Sequence, residues 1–197
     1  MYKRTAESGI ALLMTLIVVG VLTSVGLSIL DLSLKQVRLS TNAKESEKAF
    51  HAANAGMECA RYIRRIASST MESGGDITAD LDCFNGTLGG NTVSQVPAAQ
   101  ITGDGDVYQY QYEFTWGPSS DRCTQINTLV AYSSPLGTGV DIAASDVQGY
   151  LPGYPSGTNL VCDPGARCTA ISVQGYNKPC ATVGGYGTVQ REVLLQF

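Results

Sequence analysis

The reading of this chain turns on residues 9–31, Gly9-Ile-Ala-Leu-Leu-Met-Thr-Leu-Ile-Val-Val-Gly-Val-Leu-Thr-Ser-Val-Gly-Leu-Ser-Ile-Leu-Asp31. Ile10 to Leu30 is a run of 21 residues without a charge. As a helix it measures about 30 Å, the thickness of one hydrocarbon core. A secretory signal has an apolar region of only about 7–15 residues and ends at a small-residue cleavage site. Here the run is longer, and Asp31-Leu-Ser-Leu-Lys-Gln36 carries the helical pattern onward. A retained membrane helix is therefore expected rather than a cleaved secretory signal. Lys3 and Arg4 precede it and favour the cytoplasmic side for the leader, which places the chain after Leu30 outside. Gly20, Thr23, Ser24, Gly26 and Ser28 give the helix a small, weakly polar face. Such a face lets helices approach closely in lipid, although these residues are common in membrane helices in any case.

The helical pattern does not stop at the membrane. No proline occurs from Leu32 to Ile66. Leu32, Val37, Ala43, Phe50, Ala53, Met57, Ala60 and Ala67 recur at mostly three- and four-residue steps, and Leu39, Ile63 and Ile66 widen the stripe. The opposite face carries Lys44, Glu45, Glu47, Lys48, Asn54, Glu58 and Arg61. Pairs one turn apart, Glu47 with His51 and Glu58 with Tyr62, read as solvated surface pairs. The segment Ala49-Phe-His-Ala-Ala-Asn-Ala-Gly56 is rich in small residues and suits close packing. One helix from about Ile10 to about Ser69 would be about 90 Å long. A small domain cannot bury such a helix, so half of it needs a membrane or other subunits.

The formal net charge is -4, and lysine and arginine concentrate in the first third of the chain. The C-terminal part has no basic stripe interleaved with aromatics, so no nucleic-acid partner is expected. All six cysteines (Cys59, Cys83, Cys123, Cys162, Cys168 and Cys180) follow the apolar run. An even number on one side of a membrane segment points to an oxidising compartment and three disulfides rather than reduced thiols. Fifteen pairings are open. The preferred set staples the loop at Cys83 to the helix end at Cys59, closes the small loop Cys162–Cys168, and leaves Cys123 to Cys180. Zinc is not expected, since there is no C-x2-C pair and His51 is the single histidine.

From Ser68 the pattern changes. Ser68-Ser-Thr-Met-Glu-Ser-Gly-Gly75 ends the helix with turn formers. Residues 74–105 read as loop. Val107 to Trp116 alternates apolar and polar residues and reads as a strand. Gly117 to Arg122 breaks it, and Asn127 to Tyr132 forms a short strand. Residues 135–163 read as a long irregular stretch. Cys168–Tyr176 and Thr188–Phe197 read as two strands joined through 177–187. The expected fold class is α+β: a long N-terminal helix packed on a small antiparallel sheet. Val107, Tyr108 or Tyr110, Ile171, Val173, Val189 and Val193 are the residues expected to face the helix.

No constellation carries catalysis. Asp104 and Asp106, with Asp76, Asp80 and Asp82 upstream, suggest calcium. An EF-hand loop from Asp104 fails because its twelfth position is Thr115, so a polar turn is expected. Gly184-Gly-Tyr-Gly187 and Gly137-Thr-Gly139 are followed by no helix and do not form phosphate loops. No Gly-x-Ser-x-Gly elbow occurs, and His51 has no nucleophile partner. No enzyme activity, metal or cofactor is expected. Several tyrosines belong to the sheet core, while Tyr150 and Tyr154 fall in the long stretch and would be free for adhesion.

The leader and helix resemble type IV prepilins, in which a short basic leader ending in glycine is cut before a long hydrophobic helix. The resemblance covers about residues 1–66. It implies a cut between Gly9 and Ile10, with Ile10 as an N-methylated mature terminus. Most family members carry a glutamate at the fifth residue after the cut, thought to neutralise a neighbouring subunit's terminal amine in the apolar core. Here that position is Met14, and the pair cannot form. The tip-located K-type minor pseudopilins of type II secretion lack it too. The run from Ser8-Gly-Ile-Ala-Leu-Leu13 to Ala49–Met57 also looks like that of PilX-type minor pilins.

The resemblance implies a division into a leader (1–9), a transmembrane or filament-core helix (10–30), its amphipathic continuation (31–69) and an extracytoplasmic head (70–197). It implies a single-pass inner-membrane protein that later joins a surface or periplasmic filament. Its partners would be other pilin subunits, a prepilin peptidase, the inner-membrane assembly platform and, before assembly, the lipid bilayer. The alternative is a membrane-anchored adhesin or ligand-binding protein that never enters a filament.

Overall fold

The computed structural model describes residues 7–77, 83, 87–95, 102–103, 105–117 and 119–197. The chain divides into two compact units, residues 1–44 and 45–197, and the helix α1 (Glu7–Ile66) belongs to both. In the first unit every described side chain from Ile10 to Lys44 is exposed.

The second unit is built on a five-stranded antiparallel sheet with the order β1-β3-β4-β7-β8. Its strands are β1 (Thr87–Gln95), β3 (Gly105–Trp116), β4 (Arg122–Ser133), β7 (Arg167–Tyr176) and β8 (Gln190–Gln196). The central pairings are long and regular: Tyr110 opposes Thr128 and Ile171, and Tyr112 opposes Ile126 and Val173 across β3, β4 and β7. One face of this sheet takes the second half of α1. Met57, Cys59, Ala60 and Ile63 pack with Tyr108, Tyr110, Tyr112, Phe114, Ile126, Val130, Ile171 and Val173, and Val193 and Leu195 of β8 close the edge. Fully burying an aromatic or branched side chain is worth about 1.5–3 kcal/mol, so this layer holds the helix to the sheet.

The opposite face carries a second core. Val107, Leu129, Ala131 and Ala170 meet Val140, Ile142, Val147, Leu151, Tyr154 and Leu160. These come from β5 (Val140–Ile142), the short helix α3 (Ala144–Tyr150), β6 (Leu160–Cys162) and the segment between α3 and β6. A small sheet, β2-β5-β6, includes β2 (Thr102–Gly103).

Several expectations need correction. The helix does not run to Ser69. α1 ends at Ile66, and after Ala67 a short α2 (Ser68–Glu72) follows. Residues 74–105, read as loop, contain β1 and β2. The glycine pair Gly89-Gly90 lowers strand propensity, but β1 borrows its order from β3, which it pairs antiparallel with a register shift between Gly89 and Thr92. The strand expected over 127–132 spans all of β4. The stretch 135–163 is not irregular, since it supplies β5, α3, β6 and most of the second core. Val107 faces that second core and not the helix, because Tyr108 and Tyr110 already occupy the helix side and alternation sends Val107 the other way. Val189 lies just before β8 and in neither core.

Candidate functional site

The apolar half of α1 offers large side chains to its surroundings and uses none of them inside its own unit. Leu12, Leu22 and Leu27 are each two-thirds exposed, and the exposed apolar residues continue through Leu39. Most hydroxyls on this half of the helix bond within it and need no outside partner. Thr15 donates to the Leu12 carbonyl at 2.8 Å, and Ser28 to that of Ser24 at 2.9 Å. Ser33 and Thr41 bond back to Ile29 and Val37 at 2.9 Å, and Thr23 does the same to Val19. These five hydroxyls are satisfied one turn back, the arrangement that lets a helix lie in hydrocarbon or among other apolar helices. A Cβ at Gly20 or Gly26 would meet nothing within 4 Å, so neither glycine serves packing within the chain. A shallow apolar groove beside Gly26 is lined by Val19, Leu22, Leu27 and Leu30. Met14 lies exposed on this surface, and the first acid after it is Asp31, paired with Lys35 at 2.8 Å. Gly9 and Ile10 lie within α1, while leader residues 1–6 fall outside the described residues.

In the second unit the helix is seated by small residues. Ala49, Ala52 and Ala53 are fully buried. A Cβ at Gly56 would stand 2.1 Å from the Thr124 methyl, and the Thr124 hydroxyl donates to the Ala52 carbonyl at 2.9 Å. Most of the expected stripe is buried here, with Ala53, Met57, Ala60, Ile63 and Ala67 taken into the core, while Phe50 and Ile66 are about half exposed. The surface pairs are as read for His51, whose Nε2 lies 3.6 Å from Glu47, but Glu58 pairs with Arg61 rather than Tyr62. Glu45, placed on the polar face, is half-buried and accepts from Asn177 Nδ2 at 2.9 Å.

At the helix end a buried ionic cluster joins α1, α2 and β7. Arg64 donates from Nε to Thr169 Oγ1 and from Nη1 to Ser68 Oγ, both at 2.8 Å, and from Nη2 to Glu72 Oε1 at 2.7 Å. The other Glu72 oxygen lies 3.3 Å from Arg167 Nε. Burial pushes the Glu72 carboxyl up, but the bonds from Arg64 and Ser68 and the charges of Arg64 and Arg167 outweigh it and hold it below its ordinary value. The Tyr110 hydroxyl donates to the Met71 carbonyl at 3.0 Å, and burial pushes it up to about 12. This cluster was missed in the sequence, although the spacing Arg64-Ser68-Glu72 at four-residue steps was a signal for it.

Three disulfides tie the second unit: Cys59 of α1 to Cys83, Cys123 of β4 to Cys180 in a 3-10 turn, and Cys162 of β6 to Cys168 of β7. Glu113 approaches the Cys123 and Cys180 sulfurs, but those sulfurs are bonded to each other and offer no thiolate to a metal. Of the calcium candidates, Asp80, Asp82 and Asp104 fall outside the described residues, and Asp76 and Asp106 are exposed. The adhesion reading of Tyr150 and Tyr154 is not sustained. Tyr154 is buried in the second core, and Tyr150 packs against it while its carbonyl accepts from Gln109 Nε2 at 3.0 Å.

Residues 8–58 match the family model described as PilX N-terminal. No curated protein and no solved structure matches the chain. The match covers the exposed apolar helix and its seat on the sheet. Over those residues the chain is similar to the PilX N-terminal family, and the second unit, a helix packed on a disulfide-linked antiparallel sheet, is pilin-like in fold.

Proposed function

We propose that the protein is a minor pilin: a structural subunit of a type IV pilus or related pseudopilus, present in few copies or at an end of the filament. The observation that carries this reading is the apolar surface of α1 from Ile10 to Leu39. Most of its hydroxyls bond within the helix, its large side chains are exposed, and it contains no carboxylate at Met14. Such a surface suits a bilayer first and a bundle of like helices later. The leader 1–9 would be removed by a prepilin peptidase between Gly9 and Ile10. The segment 10–30 would hold the chain in the inner membrane with the head outside. The assembly platform would then transfer the helix into the filament, with 31–69 continuing it and 70–197 forming the head.

Met14 supports the minor role. A subunit that docks its amine-bearing terminus beside a neighbour's carboxylate neutralises both charges in an apolar core, and Met14 offers no such partner. The role is mechanical, with the helix as its working part. Mass spectrometry of sheared filaments tests the reading. The chain should be present at a small fraction of the bulk subunit, and Met14→Glu should raise that fraction. A chain confined to the membrane fraction, with filaments devoid of it, would instead make it an anchored adhesin or ligand-binding protein.

A further inference from the structure

A second surface lies where α1 ends. The last turns of α1, the start of α2 and the ends of β7 and β8 enclose a groove of about 760 Å³. Its walls carry four arginines, Arg61, Arg64, Arg65 and Arg167, and its apolar parts are Tyr62, Leu195 and Phe197. Tyr62 and Phe197 are each about half exposed.

The charges of the groove are unequally matched. Arg64 is fixed by Thr169, Ser68 and Glu72, so it is an immobile positive wall rather than a free donor. Arg167 shares Glu72 with it but keeps 62% of its side chain exposed. Arg61 meets Glu58 only in a solvated pair at 3.6 Å, which is worth little. Arg65 is exposed and pairs with no carboxylate among the described residues. Among the described residues the four guanidiniums thus outnumber the side-chain carboxylates that meet them, Glu58 and Glu72.

We infer that this groove binds an acidic peptide segment of a neighbouring subunit, one that carries carboxylates beside an apolar side chain. The inference rests on the assembly reading for the source of the segment. The chemistry follows from charge complementarity. A guanidinium fork donates two parallel hydrogen bonds to one carboxylate, and arginine and tyrosine are among the side chains that anchor protein interfaces. Leu195, Phe197 and the Tyr62 ring supply the apolar contact that a bare anion would not use. The anchored Arg64 lowers the entropy cost of forming the site.

The test uses the full chain in a nonionic detergent and a fluorescein-labelled heptapeptide of alternating glutamate and leucine, read by anisotropy. The glutamate peptide should bind, more weakly as salt rises, and its glutamine counterpart should bind about tenfold more weakly or worse. The double variant Arg61→Gln/Arg65→Gln should lose about tenfold or more in affinity with an unchanged unfolding midpoint, and Arg61→Lys/Arg65→Lys should keep part of it. Equal binding of the two peptides, or equal binding by the double glutamine variant, overturns the inference. Full displacement by inorganic phosphate would overturn it in favour of a simple anion site, and full displacement by phosphatidylglycerol micelles in favour of a lipid headgroup. An uncleaved leader in cells would defeat the assembly reading and leave this binding result standing.

Discussion

Gly175 of β7 lies directly under the backbone of α1: a Cβ at this position would stand 2.2 Å from the amide nitrogen of Ala53. It would also stand 2.3 Å from the Ala49 carbonyl oxygen, so the obstacle is main chain and cannot swing aside. Helix and sheet approach this closely because Ala49, Ala52, Ala53 and Gly56 present almost no side chain there.

Gly175→Ala should therefore cost about 3 kcal/mol, an overpacking penalty at the upper end of the usual range. For a unit of this size that lowers the unfolding midpoint by about 8 °C. The control is Gly184→Ala, where a Cβ meets nothing within 4 Å, and the midpoint should hold. Thermal melts followed by near-ultraviolet circular dichroism in detergent would check both.

The same contact explains what could and could not be read from the sequence. The 21-residue uncharged run and the alternation from Val107 to Trp116 are long, regular signals, and both elements are where they point. The exposure of Phe50 and Ile66 is what the sequence hides, because both carry more apolar weight than the alanines that take the contact. Close approach selects small residues, and the small-residue segment 49–56 is where the contact forms. β1 escaped because Gly89 and Gly90 signal a turn when β3 is out of view. Tyr154 and the segments around it looked like loop because their burial depends on the far face of the sheet, a partner distant in sequence. The ionic cluster was half visible, in Arg64-Ser68-Glu72, while Thr169 and Arg167 reach it only through the fold.

Glu72 makes stability depend on pH in a defined window. Its carboxyl is held below its ordinary value of 4.5 in the folded chain. The stabilisation it contributes is thus complete above about pH 4.5 and is lost as pH falls through the folded-state value. Glu72→Gln should destabilise by about 2 kcal/mol near pH 7, the worth of hydrogen bonds to a charged group. Denaturant unfolding of both proteins from pH 3 to 8 should show that gap constant at higher pH and shrinking below about 4.5. A gap that persists undiminished at pH 3 would mean that the ionised carboxylate is not what stabilises the cluster.

The disulfides should differ in worth according to the chain each closes. Cys123–Cys180 spans 57 residues and Cys162–Cys168 spans 6. On the chain-entropy account, replacing the first pair by alanines costs about 4 kcal/mol and the second about 2 kcal/mol. Equilibrium unfolding in guanidinium would rank them, and a reversed order would show that restriction of the unfolded chain is not their main effect.

If the long helix is a processed assembly element, as proposed, the mature N-terminus shows it most directly. Protein taken from cells that possess a prepilin peptidase should begin at Ile10 and be one methyl group heavier than the bare sequence from Ile10. Protein from cells lacking the peptidase should keep the leader ahead of Ile10. An intact leader, with Lys3 and Arg4 still attached in protein from peptidase-bearing cells, would contradict the account.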